Sequence, residues 1–170
     1  MAFQTISQLD SKIVEDITSS WNGHPPANIL KELKEDSPWA VIYTTDGTYI
    51  NVMKHVGLDD TATVVFDTKG KPNIKKFNWS ENNGVLTDGT IQCYVIVLEA
   101  GAFAYYICDT QGPPGPAQGA VAIALGPPGG IPNEYFYTAS CAKRSMKKMN
   151  IKLNIKCDIN VPSTYQWSST

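Results

Sequence analysis

Asn150-Ile-Lys-Leu-Asn-Ile-Lys-Cys-Asp-Ile-Asn-Val161 alternates six apolar side chains (Ile151, Leu153, Ile155, Cys157, Ile159, Val161) with six polar ones, without a break. A β-strand points successive side chains to opposite faces, so this period of two predicts one buried and one wet face. Such a ribbon belongs to an antiparallel sheet whose inner side covers a core.

Working back from this ribbon, the chain reads as strands as far as Trp39. Trp39 to Thr45 and Thr48 to Lys54 flank Asp46-Gly47, a strong short hairpin signal. Further strands are expected at 61–66, 90–98, 102–109, 119–125 and 134–141, while 74–89 is ambiguous because Asn82-Asn83-Gly84 and Asp88-Gly89 interrupt it. The predicted fold is mainly β: an antiparallel β-sandwich or jelly roll of about eight strands, since one open sheet would expose too much apolar face.

One or two amphipathic helices precede it. Phe3, Ile6, Leu9, Ile13 and Ile17 are spaced by three or four and fall on one helical stripe, which ends before Asn22-Gly23 and Pro25-Pro26. Residues 27–35, with Ile29, Leu30 and Leu33, read as a second helix closed by Pro38. The 170 residues suit one domain: a helical segment 1–36 packed on the body, a β-sandwich over 39–161 and a tail over 162–170.

Composition agrees with a turn-rich β-protein, with 18% charged residues, 13 Gly and 11 Pro. Met1 to Ser20 holds no apolar run of secretory length, and no stretch has membrane-spanning length. This predicts a cytoplasmic protein, or one released without an N-terminal signal peptide.

Charge is unevenly divided. Residues 1–60 hold nine acids against four bases, and residues 141–170 hold one acid against six bases. That polarity points to attraction between copies or to a basic tip on an anionic surface, and the small net negative charge argues against nucleic acid. The candidate anionic-surface contacts are Lys143, Arg144, Lys147, Lys148, Lys152 and Lys156; the same cations also fit a solubilising outer strand.

Catalytic and cofactor signatures are missing from the sequence: it has no nucleophile elbow, phosphate loop, dinucleotide fingerprint or zinc-protease helix. Cys93, Cys108, Cys141 and Cys157 form no Cys-x-x-Cys pair, and neither histidine is near them in sequence, so no metal site is expected. A two-residue turn at Ala100-Gly101 would set Cys93 opposite Cys108, a candidate cross-strand disulfide; two buried thiols are the alternative. Gly112-Pro113-Pro114-Gly115 recurs as Gly126-Pro127-Pro128-Gly129 around one apolar strand, reading as two rigid loops or as proline docking elements.

The functional expectation is a non-catalytic module that self-associates, with Phe3, Ile6, Leu9, Ile13 and Ile17 as its docking stripe. The alternative is a membrane-active or glycan-binding protein using the basic tip and the loop aromatics Tyr135, Tyr137, Tyr165 and Trp167. An amphipathic first helix and the strand Gly101-Ala-Phe-Ala-Tyr-Tyr106 resemble the actinoporin-type pore formers over those two elements. The tryptophan-rich cluster of that family has no counterpart at Gly129-Gly-Ile-Pro-Asn133, and a second helix precedes the sheet, so the family is not assigned.

Overall fold

A computed structural model describes residues 6–35, 39–45, 50–56, 61–68, 71–99, 101–124, 141, 144–149 and 151. Nearly all of the ribbon 150–161 lies outside the described residues, as does 134–140; Cys141, the last residue of that expected strand, is helical.

Two helices come first, α1 (Ser11–Ser20) and α2 (Ile29–Glu35). The start of α1 is set by Asp10, whose carboxylate accepts the backbone N–H groups of Lys12 (2.9 Å) and Ile13 (3.3 Å). The described residues before it, 6–9, are not helical, which corrects the expected stripe at Ile6 and Leu9. Gln8 instead bridges Asp109 in parallel, with the Asp109 N–H donating to the Ser7 carbonyl at 3.0 Å. Ile13 and Ile17 do lie on α1, and both are buried. The Glu81 carboxylate reaches across from a strand to accept the N–H groups of Ile29 and Leu30, each at 3.0 Å.

The strands are β1 (Trp39–Thr44), β2 (Ile50–Val56), β3 (Thr61–Thr68), β4 (Lys71–Asn78), β5 (Ser80–Asn82), β6 (Val85–Asp88), β7 (Ile91–Glu99), β8 (Ala102–Asp109) and β9 (Gln118–Ala124). They hydrogen bond into one antiparallel sheet, in the order β4-β3-β2-β1-β9-β8-β7-β6-β5. The protein is thus mainly β, with few short helices. The ambiguous stretch 74–89 resolves into β4, β5 and β6. Asn83 (φ 49°) and Gly84 (φ 84°) make the two-residue turn between β5 and β6, as an Asn-Gly hairpin with left-handed central residues should.

The sheet consists of two meanders, β1–β4 and β5–β9, joined by the β1–β9 ladder. Its two outermost strands, β4 and β5, are separated in the chain by Trp79 alone. Strands at opposite ends of a nine-stranded sheet can be consecutive only if the sheet curls back on itself. Three register shifts, at Val41/Tyr43, Met53/His55 and Val95/Val97, supply bends of the kind that β-bulges impose. The Asn78 N–H donates to the Asp88 carboxylate at 3.1 Å, linking β4 to β6 where the ends meet.

Strands β7, β8 and β9 are covered on both faces. Phe77, Trp79, Leu86, Cys93, Val95, Phe103, Tyr105 and the alternate alanines of β9 line the first face with Trp39, sealed by Ile29, Leu30 and Leu33 of α2. Tyr94, Ile96, Ala104, Tyr106, Cys108, Val121 and Ile123 line the second, sealed by Ile13 and Ile17 of α1 and by Met146 and Ile151. Burying each large apolar side chain contributes about 1.5–3 kcal/mol, so removing either cover would expose a costly surface. The segment 6–9 crosses the end of β8, sending Ile6 to the first face and Leu9 to the second.

Candidate interaction surface

The first covered face is lined by rings. Trp39 meets Phe103 edge-on (6.1 Å, 73°), Phe103 lies against Tyr105 (4.8 Å), and Phe77 stacks on Trp79 (4.6 Å, 19°). The indole N–H of Trp39 donates to the Leu33 carbonyl at 3.0 Å, tying α2 to the sheet. That of Trp79 is buried with no hydrogen-bond partner.

The second face carries the phenols and a thiol. The Tyr106 hydroxyl accepts the Asp10 N–H at 2.8 Å, fixing the start of α1 to β8, and its ring stacks near Tyr94 (6.2 Å). Burial drives the titration of Tyr106 well upward and pushes the Cys108 thiol up to about 12. Burial likewise raises Cys93. All three groups are held neutral at physiological pH, the opposite of an activated nucleophile.

The candidate disulfide is corrected by the bulge in β7. Glu99, Leu98 and Val97 face Ala102, Phe103 and Ala104, as the Ala100-Gly101 turn requires. Beyond the shift at Val95/Val97 the register moves by one, pairing Cys93 with Ile107 and Cys108 with Gln92. A one-residue shift sends side chains to opposite faces, so Cys93 enters the aromatic face and Cys108 the other. Both are free and buried. The carbonyl of Val95, at the bulge, accepts the Trp21 indole N–H at 3.1 Å.

The docking stripe does not present a free apolar side. Ile6, Ile13 and Ile17 are buried within the chain and Leu9 is half-buried, while Phe3 lies outside the described residues. The loop Gly112-Pro113-Pro114-Gly115 has a structural task here. A Cβ on Gly112 would sit 2.6 Å from the Ile6 carbonyl oxygen, and one on Gly115 2.6 Å from Ser7 Oγ. Glycine thus permits the loop to press on segment 6–8, and the Gln8 N–H donates to the Pro113 carbonyl at 2.9 Å. The second Gly-Pro-Pro-Gly copy lies outside the described residues.

The basic tip is partly seen. Residues 144–148 are helical, with Arg144, Lys147 and Lys148 exposed on one side and Met146 buried on the other. Positions three and four apart share a helix face, which is why the three cations project together. Arg144 also donates to Cys141 Sγ at 3.2 Å. Lys143, Lys152 and Lys156 lie outside the described residues, as do the aromatics Tyr135, Tyr137, Tyr165 and Trp167.

The outer surface of this second cover was not singled out from sequence. Half-buried Val14 adjoins exposed Glu15 on α1, and exposed Lys148 adjoins half-buried Met149. The signal was available in the break from the a/d-like stripe at Val14, an apolar residue on the flank of the helix.

Among the described residues no three His, Cys, Asp or Glu side chains group as metal ligands, and no helix is long and apolar enough to cross a membrane. Compared with known proteins, the chain matches no family model, and no curated protein resembles it in sequence.

Proposed function

We propose that this chain is a non-catalytic β-module that works by association, assembling with further copies of itself. The curl that brings β4 and β5 together supports a two-layered, sandwich-like body closed around the aromatic face. The carrying observation is the division of charge. The sequence sets nine acids against four bases in residues 1–60 and six bases against one acid in residues 141–170, and among the described residues Arg144, Lys147 and Lys148 are exposed. Opposite charges displayed at distinct places favour encounters between copies and exclude like-facing ones.

This reading moves the docking role from the apolar stripe of the first helix to its outer, polar side. The raised titrations of Tyr106, Cys93 and Cys108 further support a scaffold over a catalyst, since burial disarms each as a base or nucleophile. Light scattering across a salt series tests the reading. Assemblies at low salt that dissociate as salt rises are expected; a monomer at every salt and protein concentration overturns it.

A second reading rests on the three exposed cations, which also suit an anionic lipid or sulfated glycan surface. Flotation with phosphatidylserine vesicles and binding to heparin, each lost at high salt, are its expected outcomes.

A further inference from the structure

We infer that a second copy of this chain docks on the cover formed by α1 and residues 144–149, in a two-fold arrangement that sets each protomer's α1 against the other's 144–149 segment. The inference rests on the association reading and specifies its geometry.

Three observations carry it. Ile13, Ile17, Met146 and Ile151 belong to one buried cluster, so α1 and the 144–149 segment sit on the same face of the sheet. Head-to-tail stacking would need the two charged regions on opposite sides. Displayed on one side, they become complementary to themselves through a half-turn, which brings each against its opposite in the partner.

The charges are also left over after local pairing. Lys12 bonds Asp16 at 2.7 Å and also feels the Glu15 carboxylate, so residues 10–16 carry three acids against one base. Among the described residues Glu15, Lys147 and Lys148 make no ion pair.

Finally, the cover has the anatomy of an interface. Leu9, Val14, Val97 and Met149 are apolar, only partly buried and packed against that cluster, and the exposed charges Glu15 and Lys148 are chain neighbours of Val14 and Met149. An apolar middle with a charged rim is how specific contacts are built. Exposed ion pairs are individually weak and salt-screened, so here several act together to set orientation and to make the contact salt-sensitive, and the apolar residues add to the affinity.

Sedimentation velocity on the full chain, over a range of concentrations, tests this. The expected mass rises to that of a dimer and stops. Glu15→Lys, and separately Lys147→Glu with Lys148→Glu, should each weaken dimerisation by about 10-fold or more, on the scale of a few screened charge contacts. Equal mixing of the two variants should restore a dimer, because reversed charges then meet reversed charges. All of these positions are exposed, and an unchanged circular dichroism spectrum confirms that the variants fold. Variants that dimerise like the parent place the contact elsewhere and overturn the inference, leaving association intact. A mass that grows past the dimer overturns the two-fold form in favour of open stacking. A monomer throughout overturns both readings.

Discussion

The two faces of β7, β8 and β9 are buried by different means. The aromatic face is closed mostly by the sheet itself, curled so that Phe77 and Trp79 return over Phe103 and Tyr105, with α2 completing the seal. The opposite face is closed by two separate amphipathic pieces, α1 and the segment ending at Ile151, drawn from distant parts of the chain. A face closed by added helices gives the molecule a second, solvent-facing surface whose charge the sequence is free to choose. The proposed contact between copies uses the second of these covers, α1 with residues 144–149.

The sharpest way to break this contrast is to hollow out the aromatic side. Phe103 is fully buried among Trp39 and Tyr105, and Phe103→Ala should cost about 3–5 kcal/mol in urea unfolding. Ile17→Val on the other face should cost about 0.5–1.5 kcal/mol, since one methyl group is removed.

Thiol chemistry sharpens it at intermediate scale. In the native protein a thiol reagent should label half-exposed Cys141 rapidly and Cys93 and Cys108 only after unfolding, as peptide mass mapping would show. An ordinary cysteine titrates near 9.0, whereas Cys108 is pushed up to about 12 by burial. The folded state therefore holds its proton through that interval while the unfolded state releases it. Stability contributed by the neutral thiol is intact below pH 9.0 and falls as pH climbs toward 12. Cys108→Ala should flatten this alkaline decline, and an unchanged slope would count against the buried assignment.

The smallest effect is expected at Trp79. Its indole N–H has no partner, so Trp79→Phe loses little area and relieves an unsatisfied donor, for a change within about 1 kcal/mol. Trp39→Phe should cost more, about 1–3 kcal/mol, because it strands the Leu33 carbonyl. Matching calorimetric scans of the two variants measure the difference.

Much of the sheet was legible in the residues. The β7–β8 hairpin was read with its turn in place, because Gly101, at φ 81°, marks the break between two apolar runs. Its far half was misregistered because Val95-Ile-Val-Leu98 is apolar at every position, and a pattern with no polar punctuation cannot show where a bulge inserts a residue. The helical stripe failed for a related reason. Ile6 and Leu9 keep helical spacing, yet Asp10 is the better cap and the loop after β8 offers the preceding backbone its hydrogen bonds. Strands β4 to β6 were obscured because their turns are so tight that the Asn and Asp–Gly pairs looked like interruptions. For the interaction surface, the basic cluster at Arg144, Lys147 and Lys148 was visible as composition. Its placement beside α1 is tertiary, and no local pattern encodes it.

The single-residue link at Trp79 has a consequence for how the molecule comes together. Each meander is made of hairpins between neighbours in the chain, but the ladder uniting them pairs Trp39 with Ala124 and Thr44 with Ala120. Closing so long a loop is entropically expensive, which favours two half-sheets forming early and zipping together last. Until that seam shuts, either half can take the matching half of another molecule, so refolding at high concentration is where exchanged, intertwined products would arise.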